Sequence, residues 1–231
     1  MQRKILATAA TIALALSGVT AANAQAKPDR LKAVLAQMDK ASKAFESAEA
    51  SIEKQQFEKI VNDTTKEKGT IYFLRNGKSM QVGAKFDNGQ TMEYKDGLVR
   101  LYTAGTNQLT QYSAKGVNQA RNEAFLTLGF GGSGSDLAKA WEIKDLGTEK
   151  MSDGSRLVEV EKLDLTSKEA SVRNNFTHIM IWVDLESDIS LKQVGYTPSG
   201  DTNTTIYTNI HLNPKKINTS AYAIKCKGKC S

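Results

Sequence analysis

Cysteine is nearly absent from this chain: among 231 residues only Cys226 and Cys230 occur, close to the end. Their spacing is not C-x-x-C, which argues against a redox pair, and no histidine lies near enough to complete a metal site with them. An oxidising compartment favours their pairing, and so short a loop would stabilise the fold only slightly. Histidine is equally scarce, with His178 and His211 in separate strand-like runs and no carboxylate at ligand spacing. Both read as ordinary strand residues. No G-x-S-x-G, H-E-x-x-H or Walker sequence is present. No catalytic residue, metal or cofactor is therefore expected, and nothing points to an enzyme. With three prolines, no internal repeat and no low-complexity tract, nothing divides the chain into domains. Acidic residues also run out: none follows Asp201, whereas Lys215, Lys216, Lys225, Lys227 and Lys229 do. This tail reads as a solvated end, the sharper alternative being a patch that touches phosphates or an acidic partner.

What is present begins with a leader. "MQRK" supplies positive charge, Ile5–Val19 an apolar run of about 15 residues that is too short for a good membrane span, and Ala22-Asn23-Ala24 a cleavage site. Residues 1–24 are expected to be removed, and residues 25–231 to form a single secreted domain. No cysteine follows the site, so the precursor is not of the lipid-anchored kind. Loss of Arg3 and Lys4 lowers the formal net charge from +6 to +4, too weak a basic balance to suggest nucleic acid but compatible with an anionic lipid surface.

The body of the chain alternates. Residues 27–45 predict a helix capped by Asp29, with Leu31, Val34, Leu35, Met38 and Phe45 along one stripe. From about Ser51 the period shortens to two. "GTIYFLRNGKSMQV" (69–82) predicts a hairpin turning at Asn76-Gly77, with Ile71, Phe73, Arg75, Lys78, Met80 and Val82 on one face. A second hairpin at Asp96-Gly97 pairs Tyr94 with Val99 and Met92 with Leu101. "VNQARNEAFLTLGF" (117–130) predicts a helix with Phe125, Leu126, Leu128 and Phe130 as its apolar side, stopped by a glycine cluster. Gly129-Phe-Gly-Gly-Ser-Gly134 matches the dinucleotide pattern in letters only, because a helix and not a strand precedes it. It reads as a flexible joint. A short helix from Ser135 toward Trp141 and four more strands follow. Strands apolar on both sides require cover on both, which leaves either one curved antiparallel sheet around the helices or a more closed sheet enclosing a cavity.

In this order the features resemble the LolA-like periplasmic lipoprotein carriers. The residues are the leader, the amphipathic helix, a strand from Gly69 to Arg75, the "YKDGLVRLY" hairpin (Asp96, Gly97, Tyr102), and a late Ser199-Gly200 turn before a strand carrying Asn209. Asn76 stands where that family usually has proline, and the Cys226/Cys230 ending is not general to it. The resemblance implies mainly β structure with some α: an unclosed antiparallel β-barrel of about eleven strands enclosing an apolar cavity covered by helices. The cavity would hold acyl chains of a lipoprotein or envelope lipid, walled by Ile71, Phe73, Met80, Val82, Met92, Tyr94, Val99 and Leu101. Arg75 would close its mouth by bonding to a helix end or lid carbonyl, and Phe125, Leu126, Leu128 and Phe130 would belong to the lid. It further implies a periplasmic monomer working between an inner-membrane exporter and an outer-membrane acceptor. The same fold also serves sensors or adaptors that bind lipid or a protein partner without transporting it.

Overall fold

A computed structural model of the chain describes residues 27–77, 79–113 and 128–230. The leader, Lys78, Phe125 and Leu126 lie outside them. In chain order the elements are α1 (Lys27–Ala44), β1 (Ser47–Glu58), β2 (Asp63–Asn76), β3 (Ser79–Phe86), β4 (Gln90–Lys95), β5 (Leu98–Thr103), β6 (Gln108–Ser113), α2 (Gly134–Ala140), β7 (Trp141–Ser152), β8 (Leu157–Ser167), α3 (Ala170–Arg173), β9 (His178–Asp184), β10 (Ser190–Tyr196) and β11 (Thr202–Leu212). One 3-10 turn, Thr219–Tyr222, lies in the tail.

All eleven strands form one antiparallel sheet, ordered β6-β5-β4-β3-β2-β1-β11-β10-β9-β8-β7. Two meanders are thus joined through β1 and β11, and the outer strands β6 and β7 do not pair with each other. The sheet is an unclosed barrel. The chain must pass from one edge to the other between β6 and β7, and the described part of that crossing, residues 128–140, lies against the inner face.

The helix starts at Lys27, so Asp29 is not its cap but sits in the first turn, where its charge meets the positive helix end. Val34 and Met38 are buried against Leu163, Leu165 and Ile181 of the sheet, together with Leu137 of α2 and Trp141. Phe45, one residue past α1, packs into a different cluster with Phe73 and Phe130. Asn213 ties this corner: its side chain accepts from the amides of Glu46 and Ser47 and donates to the Ala44 carbonyl.

The Asp96-Gly97 hairpin has the predicted register, Tyr94 opposite Val99 and Met92 opposite Leu101, with both turn residues at positive φ as a type I′ turn needs. The first hairpin differs. Arg75 pairs with Met80, Phe73 with Val82 and Ile71 with Ala84, and Asn76 remains in the strand opposite Ser79. The positive φ falls on Gly77 and not on Asn76, so the turn sits one residue later than predicted. A slip of two in the partner preserves side-chain parity, and the inner face keeps its residues.

Strand β2 is apolar on both sides because both are covered. On the outer face Tyr72 lies under Tyr222 of the tail, ring centroids 4.9 Å apart, and the Gln81 side chain donates to its hydroxyl at 2.8 Å. A Cβ at Gly83 would meet the Tyr72 ring at 2.3 Å, so this strand position admits only glycine without rearrangement. The lysines of the tail are exposed as expected, but the tail is docked on the outer face. Tyr222 donates to Glu49, the Ile224 amide to Glu93, and Asn107 in the β5–β6 turn binds the backbone of Lys227 and Lys229. Cys226 and Cys230 are disulfide-bonded and close the loop that docks there.

Candidate functional site

Pairing register sorts the inner face into rows across the strands. The first row, Ala48, Phe73, Val82, Tyr94 and Val99, is buried and apolar apart from the tyrosine hydroxyl. Next come Ala50, Ile71, Ala84, Met92 and Leu101, ending at Thr110 on the edge strand. The third holds Tyr207, Ile52, Gly69 and Phe86, with Gln90, Thr103 and Gln108 beyond them. The last holds Glu67, Lys54 and Thr205, then Gln193 of β10 and Ile181 of β9. Polarity thus rises along the strands. Over the β1–β6 part of this face lies a chamber of about 400 Å³, and among the described residues Lys54 is the one charged residue lining it.

Five of the predicted wall residues, Ile71, Phe73, Val82, Met92 and Leu101, line the chamber. Met80, Tyr94 and Val99 belong to the packed cluster beside it. Leu101, 40% exposed, marks the open side toward β6. The sequence reading missed Ile52, Lys54, Phe86 and Tyr207, which β1, β3 and β11 contribute. The signal was there in alternation: Ala48, Ala50, Ile52 and Lys54 fall on one side of β1. The neighbouring strand β11 could not be known from sequence. Burial pushes the Tyr207 hydroxyl well above the ordinary tyrosine range, so it stays protonated as a donor.

The glycine cluster caps this site. Residues 128–131 form a turn, not the end of a helix, and the turn is pinned and not a free joint. The Gly129 carbonyl accepts from the Ser190 amide at 3.0 Å, the Leu128 carbonyl from the Gln193 side chain, and the Gly131 carbonyl from Ser42 of α1 at 2.7 Å. Arg75 Nη2 donates to the same Gly131 carbonyl at 2.8 Å, while its guanidinium lies 5.7 Å from the Phe45 ring. A Cβ on Gly131 would stand 2.6 Å from Phe45 and 2.9 Å from that Nη2, and its φ of +73 also favours glycine. Phe130, fully buried, stacks on Phe73 at 4.2 Å and meets Tyr207 edge-on at 4.7 Å. Leu128 departs from the expectation: it packs beneath α1 and α2 in the other half, away from the chamber.

A second polar feature was not foreseen. Arg30 of α1 makes two bonds to Asp145 of β7, at 3.0 and 2.9 Å, and its Nε lies 3.2 Å from Glu161 of β8. Glu161 is fully buried, and neither of its oxygens has a hydrogen bond of good geometry. One cation cannot neutralise two buried carboxylates. Burial, then the neighbouring Asp145 carboxylate, raise Glu161 to about 7. At Asp145 burial acts upward too, but the bonds from Arg30 and the Gly147 amide prevail and lower it to about 2. No cluster of three or more potential metal ligands forms among the described residues.

No protein-family model and no characterised sequence matches the chain. Its fold, however, is shared. MucB superimposes with a TM-score of 0.53 at 12% identity over 87% of this chain, which spans 64% of that one. The complex of Pseudomonas aeruginosa MucA and MucB gives 0.52 at 11% identity, covering 84% of this chain and 61% of that one. An uncharacterised conserved protein of Thermus thermophilus gives 0.51 at 10% identity, covering 86% and 96%. LolA superfamily proteins are among the structural neighbours, one from Nitrosomonas europaea at a TM-score of 0.38 and 12% identity, covering 84% and 97%.

Proposed function

We propose that this protein is a periplasmic carrier that takes acyl chains of lipoproteins or related envelope lipids into the chamber and moves them toward the outer membrane. The chamber carries the reading: its inner wall is apolar at Ile71, Phe73 and Val82, it is open on one side, and among the described residues Lys54 is the one charge lining it. Burying one methylene is worth ~0.8 kcal/mol, so a fully enclosed sixteen-carbon chain would gain roughly 12 kcal/mol. A carrier holding that tightly could not release its load, and a half-open chamber takes only part of it. The exposed Arg75–Gly131 bond suits a latch that opens at little cost. In this reading the leader directs export and is cut after Ala24, and the mature chain works as a monomer by binding, without catalysis or cofactor. An inner-membrane exporter and an outer-membrane acceptor are its partners, and it has no role with nucleic acid.

One observation favours a second reading, a non-transporting sensor or adaptor: MucB, which shares the fold, was solved in complex with MucA. Native mass spectrometry separates the two. The mature protein, purified gently from a bacterial periplasm, should carry adducts of acylated mass that a folded Met92→Glu variant lacks. A bare mass in both, also after lipoprotein or long-chain lipid is added, would remove the carrier reading. A stable protein partner without lipid would establish the adaptor.

A further inference from the structure

The chamber also says which kind of acyl ligand suits it, and this inference rests on the carrier reading. A methylene needs about the ~30 Å³ of a water in the liquid, so about 400 Å³ accepts roughly thirteen of them. That is one chain and not two or three. Length agrees. From Phe73 in the first row to Glu67 in the last is six residues of β2, about 20 Å at ~3.3 Å each. A bilayer core of about 30 Å holds two chains end to end, so one chain reaches ~15 Å.

Charge sets the orientation. Lys54 is the one charged lining residue among the described residues and stands in the last row, opposite Thr205, with Gln90 and Thr103 near that end. Its Nζ lies 5.3 Å from the centre of the Phe86 ring, at the edge of the apolar wall. Glu67 Oε2 pairs with that Nζ at 3.7 Å, too far for a hydrogen bond, while Oε1 of the same carboxylate accepts from Asn88 at 2.9 Å. The ammonium donors therefore remain available at the half-exposed end, while the opposite end is aromatic and closed by Phe130. An anion would be costly against the apolar wall of Ile71, Phe73 and Val82.

We propose that the chamber binds a single-chain anionic amphiphile, its tail toward Phe73 and Phe130 and its carboxylate or phosphate held by Lys54. The test is competition against a fluorescent acyl probe on the mature protein. Competitors are myristate, 1-myristoyl lysophosphatidylglycerol, myristyl alcohol, dimyristoyl phosphatidylglycerol and a triacylated cysteinyl peptide. Myristate, the lysolipid or both should bind one to one, about tenfold more tightly than the alcohol, as a charge-assisted bond implies. Binding by only one of the two anions would identify carboxylate or phosphate as the recognised group. Lys54→Met should abolish the preference over the alcohol by weakening the anions about tenfold. Glu67→Gln should act oppositely, tightening the anion about twofold to threefold by removing a competing charge. Equal affinity for acid and alcohol in the wild type, a preference that survives Lys54→Met, or tighter binding of the two- or three-chain ligands would each overturn the single-chain anion while leaving the carrier standing. Failure of every acyl ligand to displace the probe would remove the carrier reading itself.

Discussion

Strands β7–β10 and strands β1–β6 offer the same alternation of apolar side chains to the inside, yet they meet different neighbours. Over the first set, Val34 and Met38 of α1, Leu137 of α2 and Leu128 close onto Leu163, Leu165 and Ile181 as solid core. Over the second, the described cover is Phe45 and Phe130, and a chamber remains beside them. An apolar strand face therefore does not by itself distinguish core from binding wall. Among the described residues, what differs is which half the helices reach: α1 and α2 pack over β7–β10.

If one half is scaffold and the other receptor, substitutions should separate stability from binding. The largest effect is expected for Leu163→Ala, which opens a cavity in the filled half. A loss of about 4 kcal/mol in denaturant-measured stability should come with unchanged acyl affinity of the folded protein. Phe130→Ala should cost somewhat less, about 3 kcal/mol, because its ring stacks on Phe73 of the chamber wall and the space it leaves can open onto the chamber. It should also enlarge the chamber and tighten binding of longer chains, read by the same probe competition; weaker binding would mean that Phe130 contacts the ligand more than it limits it.

The third expectation concerns pH and belongs to the filled half. Glu161 holds its proton more tightly when folded, at about 7 against an ordinary 4.5. Between those values the folded state binds more protons, so this group's contribution is complete below about 4.5 and is lost as pH rises through about 7. Asp145 acts in the opposite sense: its contribution is present above the ordinary carboxylate value and is lost as pH falls toward about 2. Glu161→Gln should flatten the stability profile between about pH 5 and 8 without altering acyl binding, and an unchanged slope would show that Glu161 does not titrate there. Smallest is Arg75→Met. Losing an exposed bond should cost about 1 kcal/mol or less in stability but should speed ligand release, measured by stopped-flow displacement.

Much of the fold was legible because local rules fix it. Asp96-Gly97 demanded positive φ at both positions, and the strand pairing followed. The first hairpin was read two residues out in its partner strand, since Asn76 could equally continue the strand; parity nevertheless put Ile71, Phe73 and Val82 on the correct face. Arg75 was expected to bond to a helix end or lid carbonyl; its side chain bonds to the Gly131 carbonyl, which lies in a turn. The rest depended on distant contacts. Nothing local places Tyr207 beside Ile52, or Arg30 beside Asp145 and Glu161, because those pairs are more than a hundred residues apart in the chain. The tail misled for a related reason. Its lysines suggested solvent, whereas Tyr222 and Ile224 between them hold it to the outer face.

The most direct test of the β1–β6 half acting as receptor is methyl NMR of the mature protein with spin-labelled myristates. A label near the chain end should broaden Val82 and Ile71 most, and a label near the carboxylate should broaden Ile52. Leu163, Leu165 and Ile181 should be broadened less than these with either label, Ile181 the most of the three because it shares the last row with Lys54. Broadening centred on those three, or broadening confined to surface methyls, would contradict the division of the sheet into scaffold and chamber.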